Sequence, residues 1–319
     1  MTRSLFRRPV AVVAIAALAL ALAGCGGKPE PSKPADTKPA DGKGNTPTPP
    51  AGGQPAGGQP GTSGPAMLGP SDPAQKAAEQ FVTDLRAAAD KPGPLPAELV
   101  DRLSPAFRKV VGKPVLTDAD KQRGYSTDAA GAWLRRAAGP LTGIGLPTGY
   151  GSPAVAVFVG SFGNGTGRLL LRMVPGEGGW KVDWFSLGTA KAVELKPTSP
   201  DGPYQDFAAQ AFLDPLTSTA TSKDDRALLL GAVCSPRLRQ AWAQPFDQDK
   251  ARGYDFSQTK LAIEAERLGG GTTAYTLTPT GGDLFKAELT KGKDTKAYTL
   301  TLTKDTGPGE WLVDEFTGQ

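Results

Sequence analysis

The chain has 319 residues, 36 Lys and Arg against 32 Asp and Glu, a formal net charge of +4 and no histidine. Without histidine there can be no His-ligated metal centre, no Ser-His-Asp triad and no Cys-His dyad. Its two cysteines, Cys25 and Cys234, are too few for a disulfide framework.

The first element is a targeting segment. Arg3, Arg7 and Arg8 form a basic start, and Val10 to Ala23 form an apolar run. At about fourteen residues it is shorter than the roughly twenty needed to span a bilayer, which predicts a signal peptide over residues 1–24. Its end, Leu22-Ala23-Gly24-Cys25, resembles the lipobox of bacterial lipoproteins. That resemblance implies cleavage before Cys25, a diacylglycerol on its thiol and a third acyl chain, such as palmitate, on the new amine. Each buried methylene contributes about 0.8 kcal/mol, and two or more chains give stable anchoring. Pro9-Val10-Ala11 is a poor continuation of a twin-arginine signal after Arg7-Arg8. Gly26, where lipoproteins retained in an inner membrane often carry Asp, favours the outer membrane if the cell has two. A lipid-anchored position in the cell envelope is therefore expected. Cleavage also removes three arginines and no acid, so the charge falls from +4 to +1. The near-neutral mature chain offers no electrostatic basis for binding nucleic acid.

Residues 26–72 hold 11 Gly and 11 Pro among 47 positions, with small repeats at Lys33-Pro34-Ala35-Asp36 and Lys38 to Asp41. Such a segment has too little apolar surface to offset its ordering entropy. The expectation for 25–72 is a lipidated cysteine and a disordered tether, spanning roughly 40 Å.

A duplication follows. Ala77-Ala78, Phe81 and Leu85 match Ala208-Ala209, Phe212 and Leu216 at an offset of 131. Ser104-Pro105 and Arg108 match Ser235-Pro236 and Arg239, and Trp180, Val182, Asp183 and Phe185 match Trp311, Val313, Asp314 and Phe316, at the same offset. Asp118 to Tyr125 matches Asp247 to Tyr254 at 129. The chain thus reads as two copies of one domain of about 120 residues, 73–196 and 203–319, joined by Lys196 to Pro203.

Within the first copy, the apolar spacing predicts a helix over Pro73 to Ala88 with Asp72 as N-cap, a second helical stretch around Leu99, Leu103 and Phe107, and a third over Ala129 to Ala138. Ser257 to Leu268 is the third helix's partner in the second copy. Strands follow at Val155 to Val159, Arg168 to Val174 and Trp180 to Leu187. Asn164-Gly165-Thr166 is formally a glycosylation sequon, but a tight hairpin turn explains it. The second copy gives strands at Thr273 to Thr278, Leu284 to Thr290, Ala297 to Lys304 and Glu310 to Phe316. Helices followed by an antiparallel meander make an α+β fold. That order, ending in a Trp-x-Val strand after a glycine-bearing turn, resembles the nuclear-transport-factor-2-like (cystatin-like cone) superfamily. The resemblance implies a curved sheet wrapped on helices, with a conical pocket.

The best-matched stretch, Asp-x-Asp-Lys-x-Arg-Gly-Tyr, is not an EF-hand, because Gln122 and Arg123 stand where an acid and a glycine belong. It reads as a capped turn ended by Gly124 in a left-handed conformation, with Tyr125 packed back on the domain. The binding alternative makes Arg123, Tyr125, Arg252 and Tyr254 ligand contacts. In the last strands, alternation places Trp180 and Val182 on one face and Asp183 and Phe185 on the other, with the tryptophans in the core. The superfamily resemblance makes Asp183 and Asp314 the candidates for a catalytic base. Cys234 aligns with Leu103 and reads as a buried, inert thiol. Gly143 to Gly151 lacks the ending of a phosphate-binding loop and reads as a surface loop without an equivalent in the second copy.

These features favour a non-enzymatic envelope lipoprotein whose modules bind an unidentified protein or small molecule, as a monomer or weak oligomer. No cofactor and no metal are expected. The alternatives are an isomerase or hydrolase using an aspartate base in one cone, and a wall-associated spacer.

Overall fold

The computed structural model describes residues 65–112, 128–188, 201–217, 223–242 and 266–318, save 92, 140, 164 and 307–309, together with positions 122, 124, 195, 199 and 263. The protein is α+β, with two antiparallel sheets that each follow a set of helices.

In the first module, α1 (Pro73–Ala89) starts where Asp72 accepts a hydrogen bond from the Ala74 amide at 2.8 Å. The expected second helical stretch divides into α2 (Ala97–Val100) and α3 (Pro105–Val111). Pro105 disfavours helical geometry in the residue before it, so Ser104 turns extended and caps α3 instead. Asp128 caps α4 (Ala129–Ala138). From α4, the Arg135 guanidinium donates to the carbonyls of Ala88 and Lys91, where the helix dipole of α1 is negative.

The first sheet runs β1 (Ala66–Met67), β2 (Gly145–Ser152), β3 (Val155–Phe162), β4 (Gly167–Gly176) and β5 (Gly179–Gly188), in that order across the sheet. Two expectations change. The glycine-rich segment read as a surface loop is strand β2, and its glycines make it one: a side chain at Gly149 would collide with the Phe158 ring on the neighbouring strand. The tether also ends sooner than residue 72. Ala66 and Met67 pair with Gly151 and Tyr150, and the Leu68 amide donates to the Gly149 carbonyl at 3.0 Å. The expected turn at 163–166 joins β3 to β4.

The second module repeats the plan with α5 (Gly202–Thr217), α6 (Lys223–Val233), α7 (Pro236–Trp242) and strands β6 (Ala274–Gly281), β7 (Leu284–Lys291), β8 (Asp294–Lys304) and β9 (Trp311–Gly318). Strand β6 takes the place of β2, so the second copy does have an equivalent of the glycine-rich segment. Of the expected helix over Ser257 to Leu268, only residue 263 and the turn from 266 are described, and both are helical. Pro279 stands in β6 where an added edge strand would need an amide, which protects an edge that β1 covers in the first sheet.

Helix α5 joins the modules. All of its residues are buried, because it packs on strands of both sheets. Toward its own sheet it presents Phe212, 5.2 Å from Phe316 in an edge-on contact. Toward the first sheet it covers the face opposite α1, so Leu169, Leu170 and Leu171 are all fully buried although they alternate between faces. The second sheet has one wet face, with alternating burial along β7 and β8. Strand pairing aligns Leu170–Ser186 with Thr299–Thr317 and Arg172–Trp184 with Thr301–Glu315, so contact residues of the first sheet become solvent-facing polar ones in the second. Helix α1 likewise carries exposed Lys76, Gln80 and Thr83 where α5 carries buried Phe207, Ala211 and Asp214. Both outward faces of the pair are therefore polar, as in the terminal units of repeat proteins.

Gly149→Ala should destabilise the chain by about 1–3 kcal/mol, because β2 must shift or the Phe158 ring must leave its rotamer. Urea unfolding measures this, and an unchanged midpoint would show that β2 does not need a bare backbone there.

Candidate functional site

Asp183 and Asp314 occupy twin positions, and a shared irregularity sets them there. Arg172 pairs with Trp184 and Met173 with Val182, leaving Asp183 as the extra residue of a β-bulge. Asp314 is the extra residue between Val313 and Glu315 in the same way. The bulge resets the alternation, so Phe185 shares the inner face with Val182, contrary to the expected assignment of opposite faces. Trp311 is buried as expected, and Trp180 packs half-buried against the core.

Each bulged aspartate is held by a helix N-cap. Ser104 Oγ donates to Asp183 at 2.5 Å while accepting from the Phe107 amide at 3.0 Å. Ser235 Oγ donates to Asp314 at 2.6 Å and accepts from the Leu238 amide at 3.1 Å. The second oxygen of each carboxylate takes an arginine, Arg172 at 2.7 Å and Arg237 at 2.8 Å. Parallel bridges between Leu103 and Val182, and between Cys234 and Val313, complete each joint. Both carboxylates therefore stitch a helix start to the last strand, which leaves little capacity for a base. Cys234 is fully buried, and burial pushes its thiol well above the ordinary range, so it holds its proton. Gly124 has φ +63°, the left-handed geometry expected of the turn, but Arg123, Tyr125, Arg252 and Tyr254 lie outside the described residues.

Between the modules lies a buried ion pair that sequence reasoning missed. Arg168 of β4 donates through Nε and Nη2 to Asp214 of α5, and neither side chain is exposed. Tyr275 Oη donates to the same carboxylate at 2.9 Å, and the guanidinium lies 4.8 Å from the Tyr275 ring centre. A Cβ at Gly188 would overlap the Asp214 carboxylate, so bare backbone makes the room. Burial pushes the Asp214 carboxyl up from its ordinary value, while Arg168 pulls it down. Two outer pairs repeat the polarity: Arg136 with Asp225 at 3.3 Å and Arg172 with Glu310 at 3.5 Å. In all three the first module supplies the cation and the second the acid.

Two spaces bordered by described residues bear on ligand binding. A crevice of about 70 Å³ lies between the modules, against Trp184, Phe207 and Trp311. It holds on the order of five waters at 10–15 Å³ each, too few for a substrate. The other is a groove of about 570 Å³ in the second module, within the usual 300–1,000 Å³ of small-molecule sites. Its apolar wall is Trp242 of α7, Leu268, Tyr298 of β8 and Phe316 of β9, and Arg267 and Lys296 stand at it. The rings form a ladder. Trp242 lies 6.2 Å from Phe212, Phe212 lies 5.2 Å from Phe316, and Phe316 stacks on Tyr298 at 4.7 Å with planes 10° apart. In the first module Trp133 packs edge-on against Phe185 at 6.3 Å and against Phe107 at 5.6 Å, filling the corresponding interior. The sequence held one signal for this difference: Trp242 stands where the first copy has the fully buried Val111. Neither Asp183 nor Asp314 lines the groove or the crevice.

Asp214→Ala should cost about 3–5 kcal/mol by stranding Arg168 in the interior, whereas Arg168→Met with Asp214→Leu should recover most of the loss. A double-mutant cycle from denaturation curves measures both. Ser104→Ala should cost about 1 kcal/mol through the lost cap, and Asp183→Asn about 1–3 kcal/mol through the weakened joint. If Asp183→Asn left the unfolding midpoint untouched, the aspartate would not be a structural joint.

No family model matches the chain, and neither a curated protein nor a solved structure is significantly similar to it.

Proposed function

We propose that the chain is a non-enzymatic, lipid-anchored envelope protein that binds a small molecule in the groove of its second module. The observation that carries this is the groove itself, a ligand-sized space walled by aromatic rings in one copy, beside a twin whose interior Trp133 fills. Binding is favoured over catalysis because both candidate aspartates are committed to N-cap serines and arginines and stand away from the groove. The lipobox supports anchoring through Cys25, with the outer membrane favoured in a cell that has two. The segment before β1, rich in glycine and proline, is the tether that lets the two-module body reach away from the membrane. The order of helices and meander supports membership of the nuclear-transport-factor-2-like superfamily.

Two measurements test the two halves. Cys25→Ser should move the protein from the membrane fraction to the soluble fraction and abolish incorporation of labelled palmitate; retention in the membrane would refute the anchor. For the groove, the mature chain carrying Cys25→Ser should bind neutral phenylnaphthylamine saturably, at one site per chain. Gly318→Leu should abolish that binding, because a Cβ at 318 sits in ordinary contact with Tyr298, at 3.6 Å, and the added side chain fills the space. Undiminished binding in that variant would place the site elsewhere.

A further inference from the structure

The groove has an uneven chemistry. Its apolar wall carries Trp242, Tyr298 and Phe316, and among the described residues that line it the charged ones, Arg267 and Lys296, are both cations. Lys296 is exposed on β8 two residues before Tyr298, so the pleat puts both side chains on the sheet face that lines the groove. Register adds one further cation and one acid to this face. Leu289 lies opposite Lys296, and Lys291, two residues beyond Leu289, shares that face. Lys293 lies in the hairpin between the strands, and Asp294, the acid of this turn, lies across from Lys291.

Resting on the binding function above, we propose that the ligand is an amphiphilic anion, with an apolar ring or chain against Trp242, Tyr298 and Phe316 and one acidic head group at Lys296. An apolar neutral ligand would gain nothing from the cationic end, and a cationic one would be repelled there. A small hydrophilic anion would leave the aromatic wall unused. The acidic head can be a carboxylate, sulfonate or phosphate, since an ammonium acts on each as a point charge. Asp294, on the same face, stands across from Lys291, and among the described lining residues none is acidic, so the attraction of Lys296 is available to the ligand.

The test compares two probes that differ by a single sulfonate, phenylnaphthylamine and anilinonaphthalene sulfonate, on the mature chain carrying Cys25→Ser. The sulfonate should bind more tightly than the neutral probe, and its advantage should shrink as salt is added. Lys296→Glu should weaken the sulfonate about fivefold or more and leave the neutral probe unchanged, with Lys296→Arg restoring the difference. Lys296 is exposed, so neither variant threatens folding. Displacement of the bound sulfonate by laurate would identify a chain-bearing ligand, and displacement by naphthoate a ring-bearing one. Competition by dodecanol as strong as by laurate, or equal effects of Lys296→Glu on both probes, would overturn the anion preference while leaving the groove a binding site. If neither probe binds saturably, the binding function itself fails and this inference falls with it.

Discussion

Arg168 and Asp214 meet in a place that water does not reach, and the arrangement of the two modules depends on that contact. Burying either charge alone costs several kcal/mol, so no docking of α5 on the first sheet is tolerable unless the two groups find each other. Gly188 makes the space, Tyr275 satisfies the carboxylate from the second sheet, and the guanidinium covers the Tyr275 ring. Residues from β4, β5, α5 and β6 thereby share one joint. A shift of a single residue in any of them would strand a charge. A buried pair is weak evidence for net stability, because desolvation of the two charges offsets their attraction.

That orientation accounts for the different fates of two copies built to one plan. The copies keep their internal joint, a helix-capping serine bound to a bulged aspartate, and differ wherever the first touches the second. Leu170, Arg172 and Trp184 meet α5, whereas Thr299, Thr301 and Glu315 meet solvent. Asp214, Ala211 and Phe207 of α5 are buried against the first sheet, whereas Thr83, Gln80 and Lys76 of α1 are exposed. Internally, Trp133 packs among the rings of the first module, and Trp242, Phe316 and Tyr298 wall a groove in the second, with Phe212 buried behind them. Among the described residues, the first module commits a sheet face to α5, and the second holds the groove.

Periodicity made the helices legible. Asp72 before Pro73 is the cap expected from the sequence, and Ser104 before Pro105 and Asp128 before Ala129, which the sequence reading passed over, cap their helices by the same local chemistry. The strand β2 was hidden because its glycines imitate a loop, and only the ring of Phe158, from another strand, gives the bare backbone its purpose. Asp183 was misplaced by alternation because a bulge depends on the register of two strands, which a single strand's pattern does not contain. The Arg168–Asp214 pair was invisible for the same reason. Forty-six positions separate its members, and neither lies in a motif.

The sequence alone determined the matched segments of the two copies, the α+β order and the exclusion of histidine chemistry, since these follow from composition, spacing and local capping. Tertiary structure decided which carboxylates are structural, which sheet face is dry and where the groove lies. Those properties belong to pairs of distant residues brought within a few ångströms, where burial sets the cost of every unpaired charge. A linear pattern records what each copy is made of; only packing reveals what each copy leaves uncovered.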